Sequence, residues 1–153
     1  MSPNNVRHVA SPYKIRYKMP QVYNVCFSPY FDGFLNTSGT GHIRFWKMAT
    51  TFTGLKLQGQ LGKFGQVELS DVCAFVELPD GKVLSGSESG EMLLWDGNLI
   101  KVVLKRPGLP HCHDGNIEVL QLDLASNRIL SAGADGYVRL WDATKVRALE
   151  FLF

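Results

Sequence analysis

Three stretches decide the fold: LNTSGTGHIRFWK at residues 35–47, LSGSESGEMLLWD at 84–96 and LSAGADGYVRLWD at 130–142. They superimpose without a gap when Trp46, Trp95 and Trp141 are aligned. In each, a leucine stands eleven residues before the tryptophan and a glycine five before it, namely Gly41, Gly90 and Gly136. The tryptophans recur at intervals of 49 and 46 residues, so the chain is built from repeats.

That spacing is close to the roughly 40 to 45 residues of a propeller blade made of four antiparallel strands, and the flanking sequence supplies such strands. IEVLQLDL (117–124) alternates Leu120, Leu122 and Leu124 with Gln121 and Asp123, the period-two pattern of a strand with unlike faces. Asn127 then turns the chain, ILSAG (129–133) makes the second strand, and Asp135-Gly136 forms a tight turn because glycine tolerates positive φ. YVRLW (137–141) returns as the third strand and VRALEFLF (146–153) is expected to be the outermost. The second unit repeats the order with VCAFVEL, the Pro79-Asp80-Gly81 turn, KVLSGS, EMLLWD and NLIKVVL. The first supplies VYNVCFSP, the Asp32-Gly33 turn, FLNTSG and HIRFWK, followed by the glycine-punctuated 54–65, which holds an outer strand and a connection. The reading is an all-β partial propeller of three four-stranded blades, at about 21–66, 67–112 and 113–153, with 1–20 as an outer or edge strand.

These residues resemble the WD-repeat family over roughly 21–153. In that family a His after the outer strand, a Ser or Thr in the second strand, an Asp in the turn and the Trp of the third strand form a hydrogen-bonded set. By resemblance, the third unit carries all four as His113, Ser131, Asp135 and Trp141. The second has Ser85 and Trp95, but Val67 and Ser89 replace the His and the Asp. The first has Trp46 with Asn36, Thr40 and Lys18 at the other places, so its polar network is in doubt. Outside the repeat consensus, HIRFWKMATTFTGLKLQGQLGKFG (42–65) and VELPDGKVLSGSESGEMLLWDGNLIKV (76–102) resemble large WD-repeat proteins of the axoneme of motile cilia. The resemblance implies a structural role in the cilium or flagellum, with partners among axonemal tether components, the inner dynein arm and the doublet microtubules.

Composition bounds the alternatives. Hydrophobic residues at 45% and charged residues at 20% describe a globular chain, and neither a disordered tail nor a fibre. Sixteen Lys and Arg against fourteen Asp and Glu leave a net charge of +2, too balanced for binding driven by phosphate neutralisation, so nucleic acid is not expected as a partner. No apolar run approaches the about 20 residues of a membrane span, and the first twenty residues lack a signal-type apolar core, so an intracellular chain without membrane insertion is expected. Cys26, Cys73 and Cys112 are an odd and scattered set, which makes reduced thiols the default.

Propellers have roughly four to eight blades, whereas this sequence supplies three. An isolated three-blade arc exposes two apolar faces, so the chain is expected to be a fragment whose partners include the remaining blades of a longer protein. His111-Cys112-His113-Asp114 is the one cluster of ligand-type side chains. Adjacent residues on an extended segment point in opposite directions, so no metal or cofactor is expected, and the structural reading of His113 outweighs a nucleophilic Cys112. The N-terminal alternation of Tyr13, Ile15 and Tyr17 with Lys14, Arg16 and Lys18 reads as an edge strand with one solvated face before it reads as a basic strip. No glycine-rich phosphate loop opens a helix. Two functions stay in play: a non-catalytic interaction scaffold, whether axonemal or a general cytoplasmic adaptor, and an enzyme on a propeller scaffold. The second lacks converging acidic or His residues. Lys63, Phe64, Glu88, Arg106 and His111 are the candidate protein-binding face.

Overall fold

The computed structural model describes residues 20–148. The first sheet runs β1 (Val22–Phe27), β2 (Phe34–Gly39), β3 (His42–Thr51) and β4 (Gly54–Leu61), hydrogen-bonded in that order. The second repeats it with β5 (Phe75–Glu77), β6 (Val83–Gly86), β7 (Met92–Asp96) and β8 (Leu99–Leu104). β9 (Ile117–Asp123), β10 (Arg128–Gly133) and β11 (Val138–Asp142) form the third. Within each of the three sheets the strands pair antiparallel, and the three tryptophans occupy the third strand of their sheets. Gly41, Gly90 and Gly136 adopt positive φ of 62°, 86° and 77° in the turns before those strands.

The third unit departs from expectation at its end. Where VRALEFLF was to begin an outer strand, α1 (Ala143–Ala148) stands instead, and the third sheet has three strands among the described residues. Asp142 Oδ1 accepts the Lys145 amide at 3.1 Å, the N-terminal capping bond that favours a helical start. Val146 is buried in the core beside Ala143. The rest of that stretch, and the expected edge strand within 1–19, lie outside the described residues.

Two cores flank the second sheet. One, against the third sheet, holds Leu84, Met92, Leu94, Cys112, Ile117, Leu120 and Ile129. The other, against the first sheet, holds Ile43, Phe64, Phe75, Val83, Leu93 and Trp95. Alternation along β7 divides its side chains between them, Met92 and Leu94 to one side, Leu93 and Trp95 to the other. Neighbouring sheets are also stitched at their turns. Gly39 O accepts the Val72 amide at 3.0 Å, and Gly90 O accepts those of Cys112 and His113 at 2.8 and 3.0 Å.

One register differs from the gapless superposition. Trp95 lies opposite Val83 and Trp141 opposite Ile129, but Trp46 lies opposite Leu35. The cause is the hairpin. Gly39 pairs with His42 across the two-residue turn Thr40-Gly41, whereas the longer loops 87–91 and 133–137 separate Gly86 from Met92 and Ala132 from Val138. Relative to the other units, β2 is displaced by one residue, which moves every later correspondence on that strand.

Candidate functional site: a polar chain inside the third sheet

His113 enters on the segment before β9 and is fully buried, with Ser131 also buried beside it on β10. Trp141 Nε1 donates to Ser131 Oγ at 2.8 Å, and Ser131 Oγ lies 2.7 Å from His113 Nε2. His113 Nδ1 lies 2.9 Å from Asp135 Oδ1. Arg139 Nη1 stands 2.7 Å from the same Nδ1, which donates to the carboxylate in one tautomer and accepts from the guanidinium in the other, with the Ser131 hydroxyl taking the complementary role at Nε2. Asp135 further accepts the amides of Asp114 and Tyr137 at 3.0 and 3.1 Å and the Arg139 guanidinium at 2.9 Å. Arg139 is a member that sequence reasoning missed. Its signal was present, four residues after Asp135 and two before Trp141, since those offsets put it on the Trp141 face of β11.

Each polar atom in this chain has a partner, which is what makes its burial tolerable. Ser131→Ala removes the shared hydroxyl and leaves an indole N–H and an imidazole nitrogen unpaired, so we expect a loss of about 1 to 3 kcal/mol of stability in urea unfolding. Burial by itself would raise the Asp135 carboxyl, but its bonds from His113, the two amides and Arg139 outweigh that and hold it well below the usual carboxylate range. A depressed folded-state pKa contributes stability that is present above the ordinary Asp value of about 4 and is lost as pH falls through the folded one. Asp135→Asn should therefore be destabilised most at neutral pH, with the gap to the parent chain closing as acid is added. Urea midpoints across that range measure it.

The other sheets carry the indole half of the arrangement. Trp95 Nε1 donates to Ser85 Oγ at 2.8 Å, and Trp46 Nε1 donates to Thr37 Oγ1 at 2.9 Å. Thr37, and not Asn36, is thus the hydroxyl of the first unit, as the displaced register requires. Val67 packs against the apolar core around Trp95, and Ser89 Oγ lies 3.0 Å from Ser87 Oγ. Thr40 Oγ1 donates to Tyr23 OH at 2.9 Å, and Lys18 lies outside the described residues. The family model described as "WD domain, G-beta repeat" matches residues 107–142, the unit with the complete polar chain.

The chain belongs to the WD-repeat family. Two curated proteins, both named "Cilia- and flagella-associated protein 44", are similar to it: that of Chlamydomonas reinhardtii is 76% identical over 67% of this chain, and that of Mus musculus 57% identical over 79%. The chain spans only 6% of the length of either. Among solved structures, the C-terminal WD40 domain of Sif2 superimposes with a TM-score of 0.60 over 82% of this chain and 35% of that one at 18% identity, a likeness of fold.

Of the five residues expected on the binding face of this WD-repeat chain, Phe64 is the one turned inward. Phe64 is 8% exposed and meets Trp95 edge-on at 5.3 Å, so it is a core residue. Lys63 is exposed but donates its amide to Asn98 O at 2.8 Å, while the Glu88 amide goes to Ser70 Oγ at 2.8 Å. Arg106 and His111 do meet, Arg106 Nε donating to His111 O at 3.1 Å. Cys112 Sγ donates to Leu104 O at 3.1 Å, and burial pushes its thiol up to about 11. At neutral pH it is protonated, the opposite of what a nucleophile requires.

Proposed function

We propose that this chain is a non-catalytic scaffold of motile cilia and flagella, acting in the axoneme by joining other proteins. The observation that carries the reading is its 76% and 57% identity to two proteins named for cilia and flagella. The finer proposal is that the whole protein ties inner dynein arms to doublet microtubules and so influences beating. The apolar faces of the first and third sheets, uncovered among the described residues, would dock further blades of a longer chain. Tagged protein in ciliated cells should decorate the axoneme along its length. Electron tomography of axonemes lacking it should show displaced inner dynein arms. Signal spread through the cytosol would leave a general WD-repeat adaptor.

A further inference from the structure

A cleft of about 490 Å³ opens between the first and second sheets, at the edge carrying the β1–β2, β5–β6 and β7–β8 turns. The volume lies within the roughly 300 to 1,000 Å³ of ligand pockets. Phe31, Phe34 and Phe45 form its aromatic walls, with Phe31 and Phe34 44% and 42% exposed at its lining. Glu77 also lines it and is 9% exposed. Its Oε1 accepts from Ser28 Oγ at 2.7 Å and its Oε2 from Asn36 Nδ2 at 3.2 Å.

Those two donors are neutral, and they use about half of the four acceptor positions a carboxylate offers. Burial pushes the Glu77 carboxyl up, against the pull of the two hydrogen bonds. Among the described residues no cation reaches it within ion-pair distance. Lys47, which also lines the cleft, places Nζ 5.8 Å from the Phe34 centroid instead. The aromatic wall therefore already attracts a cation, while the desolvated carboxylate beside it goes without one. Aromatic faces and a buried carboxylate favour the same guest.

We propose that this inter-sheet cleft binds a lysine or arginine side chain presented by an extended segment of a partner protein, with Glu77 as the charge partner and Phe31, Phe34 and Phe45 as the walls. The inference deepens the scaffold reading by giving the partner a chemistry, and it rests on that reading. Lys47 is the internal competitor.

The full 153-residue chain, labelled at its N-terminus and kept at nanomolar concentration, is titrated with acetyl-Gly-Gly-Lys-Gly-Gly-amide. The arginine peptide and the norleucine peptide, an apolar isostere, run beside it, with thermophoresis as the readout. Both cationic peptides should bind and the norleucine peptide should not. Glu77→Gln should weaken binding about tenfold or more. Lys47→Gln should tighten it severalfold, and Phe34→Leu should weaken it, with circular dichroism reporting the fold of each variant. Equal binding of the norleucine and lysine peptides overturns the proposal, as does a folded Glu77→Gln chain that binds unchanged. Should Glu77→Gln fail to fold, unchanged affinity in both Lys47→Gln and Phe34→Leu overturns it instead. A negative result would leave axonemal location untouched, because the tagging experiment reads that separately.

Discussion

The isolated 153-residue chain is expected to bind a hydrophobic dye strongly and to sediment as a series of oligomers that lengthens with concentration. The strand registers show why. Val25, Phe27, Leu35, Trp46, Met48, Leu57 and Leu61 fall on one face of the first sheet, the face turned away from the second. Phe27 is 68% exposed and Leu57 52% exposed on that face. On the outward face of the third sheet, Val138 and Leu140 are 63% and 59% exposed beside Val119 and Leu130. Monomers seldom expose apolar patches beyond roughly 300 to 600 Å². The two faces differ, one centred on an indole and the other mixed with Asp123, Arg128 and Asp142, so a contact between them is head-to-tail and does not close on itself. A growing ladder follows, and not a dimer. Replacing Phe27 and Leu57 by lysine should collapse the ladder and reduce dye fluorescence without altering the circular dichroism spectrum. A dye-silent monomer from the parent chain would refute the account.

The second large effect is expected at Gly90. Its φ is 86°, and a Cβ built there would stand 1.9 Å from His113 O. Gly90 O also accepts the amides of Cys112 and His113, so the loop cannot retreat without breaking the bond that carries the chain from the second sheet into the third. Gly90→Ala should cost on the order of 3 kcal/mol, from positive-φ strain together with a backbone collision. Gly108 is the matched control. It has φ 70° with nothing within 4 Å of its virtual Cβ, so Gly108→Ala carries the strain alone, about 1 kcal/mol. Urea midpoints that coincide for the two variants would show that the close approach at His113 does not constrain the fold.

Much of this was legible in the sequence because the repeat is both periodic and position-specific. The Leu, Gly and Trp positions were enough to order eleven strands into three antiparallel units. The polar chain of the third unit lies at the residues the family pattern designates, since that unit keeps the longer β10–β11 loop. The first unit defeated the same logic through a shorter β2–β3 turn that shifts the register by one residue, which a superposition anchored on both Leu35 and Trp46 absorbs without trace. The signal was Thr37, nine residues before Trp46, where the other hydroxyls stand ten before. Glu77 could not have been found. Its partners Ser28 and Asn36 are 49 and 41 residues away, and one strand period does not say what the neighbouring sheet will bring. Nor was the helix after Asp142 visible, because VRALEFLF is apolar enough for a strand and its start is fixed by a cap.

The two-sided burial of β7 also decides how the molecule comes apart. Either outer sheet can loosen and leave one core intact, so exchange of its amides reports local opening and is graded along the chain. The second sheet has no such option. Losing Leu93 and Trp95 from one core loses Met92 and Leu94 from the other in the same event, so its opening is global. The middle unit thus acts as the keystone of a short arch, and a missense change on β7 is felt by both of its neighbours at once.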